Sequence, residues 1–125
     1  MKNTDPCPCG SSQLYKNCCG RYLEAGAYPL DAESLMRSRY TAYTLNRTDY
    51  LKKTWHPDTC PALDTESLQS TRWLRLDVIQ HKPGLKNAIV EFKAYYQTEQ
   101  GEQAMHEVST FKKLKNRWVY VDAQK

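Results

Sequence analysis

The sequence predicts an α+β fold with a small cysteine-rich appendage at its N-terminus. Three observations predict it. Four of the five cysteines fall between Cys7 and Cys19, in a stretch of turn residues with no regular hydrophobic period. Apolar residues from Ala32 to about Arg47 recur at helical spacing. Beyond Trp73 the period changes to two, broken by short turn signals. Helices followed by an antiparallel run of strands are the pattern of an α+β domain.

Residues 1–28 form the appendage and residues 29–125 the main domain. Asp5-Pro6-Cys7-Pro8-Cys9-Gly10-Ser11 is turn chemistry. The segment has little apolar surface of its own to bury. Tyr28-Pro29-Leu30-Asp31 is the junction. Asp31 is suited to cap a helix, and Glu33 falls in its first turn, where the helix dipole favours an acid. Ala32, Leu35, Met36, Tyr40 and Tyr43 make one stripe of that helix. Arg39 sits in the middle of the stripe, where a polar residue is unexpected. Thr48-Asp49 opens a second short helix with Leu51 and Trp55 one turn apart, stopped by Pro57. A loop runs from His56 to Pro61, and a third short helix is expected over Asp64–Arg72.

The strands follow. Leu74, Leu76 and Val78 alternate with Arg75 and Asp77, and His81 reads as a solvated strand end before the Lys82-Pro83-Gly84 turn. Ala88, Val90, Phe92, Ala94 and Tyr96 make one face of a long second strand. A turn over Thr98–Glu102 leads to a third strand from about Gln103 to Leu114. Lys115-Asn116 is a tight turn into a last strand, Arg117–Asp122.

Composition narrows the class. The chain has 125 residues, 26% charged and 40% hydrophobic, an ordinary globular balance. Leu, Ile, Val and Phe together number only 21, but nine Tyr and three Trp make an aromatic core or an aromatic pocket the expectation. Disorder, collagen and coiled coil are excluded, and no apolar run approaches the ~18–20 residues of a membrane span. The opening MKNTDPCPCG lacks the apolar stretch of a secretory signal, so a cytoplasmic, reducing setting is expected. The net charge is +4, with basic residues interleaved among 14 acids. That pattern does not favour nucleic acid as the main partner.

Cys7-Pro8-Cys9, eight residues, then Cys18-Cys19 places four thiols within a short segment. Four thiolates suit one tetrahedral Zn²⁺. Four protein ligands leave no open position, so the site reads as structural. Gly10 and Gly20 follow the two pairs, where positive φ lets backbone N–H groups turn toward sulfur. Two disulfides, four free thiols, a redox-active pair or another metal such as iron are the competing readings. Cys60, in a loop between two prolines, reads as an isolated surface or half-buried thiol rather than a nucleophile.

The segment DPCPCGSSQLYKNCCGRY resembles the SEC-C motif, the zinc-binding element also found at the C-terminus of the SecA translocation ATPase. With GRYLEAGAYPLDAESLMRSRYTAYTLNRTDYLKKTWHP and RWVYVDA, the chain resembles the YchJ family over about residues 5–122. The resemblance implies zinc at Cys7, Cys9, Cys18 and Cys19, followed by an NTF2-like cone, a curved sheet wrapped against a long helix. By analogy with SecA, whose motif engages the SecB chaperone and the ribosome, it implies a protein-interaction role. It implies no biochemical activity. The chain departs from the usual motif at Ser12 and Gln13, where Gly and Lys are common. The missing Lys weakens any case for contact with an anionic surface. No second, C-terminal zinc motif is expected.

A cone of that kind often encloses a pocket. The candidates to line it are Arg39, Trp55, His56, Trp73 and Glu107. Arg39 is expected to pair with Glu91, Asp77 or Glu107, to clamp a ligand anion, or to be exposed by bending of its helix. His56 is expected to bond the last carbonyls of its helix, or to act as a base or ligand contact. His106 and Glu107 are strand neighbours on opposite faces, and the Met105–Ser109–Phe111 parity puts Glu107 inward. No nucleophile–base pair, phosphate loop or open metal site is visible, so no reaction is assigned. Two functions compete: a zinc-binding interaction or adaptor protein, and a small-molecule binder or enzyme using the cone. Ribosome or RNA contact through Lys16 and Arg21 is a third, weaker reading.

Overall fold

The computed structural model describes residues 4–61 and 71–123. The expected helix over 64–72 lies almost wholly outside the described residues; its last residue, Arg72, opens a strand.

The cysteine segment holds a short 3₁₀ turn, Tyr15–Asn17, and a one-turn helix α1, Gly20–Leu23. Helix α2 spans Ala32–Thr44. Asp31 caps it, its carboxylate accepting from Ser34 N at 2.7 Å. The helix stops three residues before the expected end. Asn46 adopts a left-handed φ of 59°. Asn46 N then donates to Tyr43 O and Arg47 N to Ala42 O. Those two bonds are the Schellman pattern, with Asn in the place usually held by Gly.

Helix α3, Thr48–Lys53, is also shorter than expected. It ends before Trp55 because the chain turns into a bridge with the last strand. His56 N donates to Tyr120 O, and Tyr120 N donates to Thr54 O, each at 2.8 Å. This bridge partners the open edge of that strand.

Four strands form one antiparallel sheet in sequence order: β1 Arg72–Lys82, β2 Asn87–Thr98, β3 Gly101–Leu114 and β4 Arg117–Ala123. Lys115 and Asn116 both take positive φ, as a two-residue hairpin turn of this hand requires. In β2 the expected alternation holds: Ala88, Val90, Phe92 and Ala94 are buried on one face. In β1 it does not. Register shifts between Trp73 and Arg75 and between Val78 and Gln80 each insert a residue. Leu74 and Ile79, at the shifts, are left exposed, while Trp73, Leu76 and Val78 pack on or against the core. After the second shift His81 pairs with Val90 and is half-buried, its Nδ1 3.8 Å from Glu33 on α2. It is not a solvated strand end.

The inner face of the sheet packs on α2, and the cysteine segment covers another side of the same helix. Ser38, Thr41 and Ala42 are therefore as buried as Leu35. Tyr15, Tyr22, Leu23 and the four cysteines join the residues of α2 and the sheet in one continuous apolar cluster. The expectation that this segment has little to bury is wrong; Tyr15 alone is wholly buried. Among the described residues, no helix is long and apolar enough to cross a membrane.

Candidate functional site

The cysteine segment is folded by its own backbone. Pro6 bridges Leu14, Cys7 N donates to Gln13 O at 2.9 Å, and Tyr15 N donates to Asp5 O at 2.8 Å. This brings the first cysteine pair over the turn that carries the second. Gly10 takes the expected positive φ, +81°. Gly20 serves a different need. A Cβ there would lie 2.7 Å from Tyr15 O, so the close approach of helix and turn excludes any side chain.

Cys7, Cys9, Cys18 and Cys19 are all buried, and none forms a disulfide. Their sulfurs lie within 4.8 Å of one another, with Cys9 and Cys18 at 3.6 Å. A tetrahedron with metal–sulfur bonds of about 2.3 Å has edges of about 3.8 Å. The cluster therefore has the size and donor set of a four-thiolate metal site. Hydroxyls outside the ligand set complete it. Ser11 Oγ lies 3.0 Å from Cys18 Sγ, and Thr41 Oγ1 donates to Cys19 Sγ at 3.3 Å and lies 3.8 Å from Cys7 Sγ. Arg37, held by Glu33 at 3.1 Å, donates to the Cys9 carbonyl at 2.9 Å.

The thiols cannot ionise independently. Hydrogen bonding from Cys19 and then Cys9 holds Cys7 far below the usual thiol range. Hydrogen bonding with Cys7 and Cys9, then burial, pushes Cys19 far above it. For Cys9, Cys19 pulls downward, but Cys7 and burial prevail and raise it to about 11. One thiolate among the four is favoured and further ionisation is opposed by the crowding of the sulfurs.

A second polar cluster joins the segment to Arg47, in the link between α2 and α3. Tyr15 Oη donates to Glu24 at 2.9 Å, and Arg47 donates to Glu24 at 3.0 Å and to Leu23 O at 3.1 Å. Arg47 and then Tyr15 hold the Glu24 carboxyl below its ordinary value.

On the opposite side of α2 lies a cavity of about 290 Å³ between the helix and the sheet. Arg39, Trp55, Trp73 and Glu107 all line it. His56 does not. Its Nδ1 accepts from Asp58 N at 3.0 Å in the following turn, so neither the helix-end bond nor a meeting with Glu107 is present. His106 points to the outer face, 2.7 Å from Glu91.

Arg39 is only 4% exposed, yet it has none of the expected acidic partners. Its Nη1 donates to Leu51 O at 3.0 Å and to Thr54 Oγ1 at 2.7 Å. Its guanidinium packs against the rings of Trp55 and Tyr120, 4.6 and 4.7 Å from their centroids, and those rings meet each other edge to face at 5.1 Å. Burial lowers its pKa. Glu107 accepts instead from Tyr120 Oη at 3.2 Å and from Ser109 Oγ. Burial, and then the Glu107 charge, drive the Tyr120 phenol well above its usual value. Among the described residues, the buried indole N–H groups of Trp55 and Trp73 have no hydrogen-bond partner.

Sequence reasoning missed Ser11, Arg37, Thr41 and Tyr120. Arg37 and Thr41 are one turn apart on α2, off the apolar stripe, and only a second covering layer gives that spacing a meaning. Tyr120 is one aromatic in an alternating strand, with no signal to separate it from core.

The geometry has its counterpart in known proteins. The family model described as "YchJ, middle NTF2-like domain" matches residues 31–123, and that of the SEC-C motif matches residues 4–21. The chain belongs to the YchJ family. UPF0225 proteins of Ralstonia nicotianae and Bordetella pertussis are each 44% identical to it, over 95% and 93% of this chain and 90% of each relative. Two solved structures share the architecture. A SEC-C motif containing protein from Psychrobacter arcticus has a TM-score of 0.86 at 35% identity, covering 96% of this chain and 82% of that one. Another from Rhodopseudomonas palustris has a TM-score of 0.87 at 32% identity, covering 96% and 98%. The main body of the chain is thus an NTF2-like domain, with helices on a four-stranded antiparallel sheet.

Proposed function

We propose that this YchJ-family protein holds one zinc ion in a closed four-cysteine site, and that the ion fixes a small rigid surface for a protein partner. The observation that carries the reading is the cluster of four buried sulfurs within 4.8 Å, with hydroxyls of Ser11 and Thr41 against them. Zinc suits four thiolates in tetrahedral array, and a set of four protein ligands leaves no position for a substrate. The chemistry of such a site is structural: it holds residues 1–28 as a unit against the domain formed by 29–125. Reduced thiols accord with a cytoplasmic setting. The surface offered to a partner carries Leu14, exposed to 38%, beside Lys16 and Arg21.

The test has two parts. Metal analysis of protein purified without added metal should return one zinc per chain. A partner captured by the intact protein should be lost from Leu14→Asp and from Cys9→Ser alike. Retention by both variants would refute the interaction role. Capture that collapses steeply with added salt would shift the reading to RNA.

A second reading has its own support. A cavity of about 290 Å³, walled by aromatic rings and holding a buried guanidinium, suits a small-molecule pocket. No constellation in it supports a particular reaction.

A further inference from the structure

Resting on that second reading, we infer that the cavity between α2 and the sheet binds a small organic acid with an aromatic or bulky apolar body, and that Arg39 holds its carboxylate. The argument begins with the cost of Arg39. A buried cation is strongly disfavoured unless an anion partners it. Among the described residues no carboxylate lies within 4.0 Å of Arg39. Neutral acceptors and two ring faces surround it instead. Glu107, on the same cavity wall, is the anion a purely structural design would use. It is engaged elsewhere, by Tyr120 and Ser109. The guanidinium packs on the edge-to-face pair of Trp55 and Tyr120, and its Nη1 is held by Leu51 O and Thr54 Oγ1.

The wall selects the rest of the ligand. Phe92, Phe111, Trp73 and Tyr43 present apolar or aromatic surface, and Ala94 leaves room between them. About 290 Å³ is at the small end of ligand pockets. One guanidinium balances one negative charge. A dianion such as phosphate would set its second charge against Glu107. A monocarboxylate with an apolar body matches both the single cation and the wall. Guanidinium–carboxylate pairing gives orientation as well as attraction.

The experiment uses the full-length, metal-loaded chain and isothermal titration. The probes are phenylacetate and indole-3-acetate, each against its neutral amide, with inorganic phosphate for comparison. Both acids should bind at least about tenfold more tightly than their amides. Arg39→Met, which keeps the volume and loses the charge, should abolish that preference while circular dichroism stays unchanged. Should Arg39→Met fail to fold, Glu107→Gln serves in its place: it removes the competing charge and should widen the acid-over-amide ratio. Ala94→Leu, which fills the cavity, should abolish binding of every probe. Equal binding of acid and amide, lost in Ala94→Leu, would keep the pocket and overturn the organic-acid assignment. Phosphate binding more tightly than either acid would overturn it too. No binding by any probe, or binding untouched by Ala94→Leu, would overturn the assignment and the pocket together.

Discussion

Helix α2 separates two buried polar clusters that are built on opposite principles. On one side Arg37 and Thr41 face the four sulfurs. On the other Arg39 and Tyr43 face the cavity. The sulfur cluster is closed: its four sulfurs lie within 4.8 Å of one another, hydroxyls of Ser11 and Thr41 lie against them, and Arg37 bonds the Cys9 carbonyl. The cavity cluster is open. Among the described residues its cation has no carboxylate within 4.0 Å, and two indole N–H groups have no hydrogen-bond partner. A saturated cluster is what a fold uses to hold itself together. An unsaturated one costs stability and is kept where something else completes it.

The largest expected effect breaks the closed side. Removing the metal with a chelator, or Cys9→Ser, should cost about 4 kcal/mol or more, as loss of a structural metal does. Because Tyr15 and Tyr22 share the common apolar cluster, thermal unfolding of the whole chain should shift, and hydrogen exchange should rise first in residues 4–28. Protection unchanged there after chelation would mean the segment folds without metal. Thr41→Val keeps the shape and deletes one donor to sulfur. It should cost about 1–2 kcal/mol and weaken metal binding about tenfold or more, measured by competition with a chromophoric chelator.

On the open side the same kind of truncation should do less. Arg39→Met should change stability by no more than about 1 kcal/mol in a denaturant titration, because burying the charge offsets most of what its neutral contacts contribute. A loss of several kcal/mol would make Arg39 a structural residue and erase the contrast. Smallest is the exposed pair between the segment and Arg47, in the link after α2. The Glu24 carboxyl is held below its ordinary 4.5, by Arg47 first. Its contribution is therefore complete above that value and disappears as pH falls through the lowered one. Glu24→Gln should cost under about 0.5 kcal/mol near neutrality, since the pair is solvent-screened. It should also flatten the acid side of the stability profile; an unchanged profile would show that the pair contributes nothing.

What was legible in the sequence was what local chemistry decides alone. Asp31 caps its helix, Lys115-Asn116 turns its hairpin, and β2 alternates without interruption. The four cysteines announce themselves by spacing. What was not legible depends on distant partners. Two register shifts in β1 turn His81 inward and leave Leu74 out, and no residue there signals them. Trp55 leaves its helix because Tyr120, far along the chain, takes up its neighbours' backbone groups. Gly20 is required by the Tyr15 carbonyl rather than by its own φ. Arg39 was conspicuous on the apolar stripe, but its expected acidic partner belongs to another network.

Mass spectrometry of the chain purified without added metal or tag tests the central claim most directly. The account predicts one zinc per chain under native conditions, and after denaturation the mass of a fully reduced chain. A metal-free native protein whose denatured mass shows the hydrogen deficit of two disulfides would contradict it.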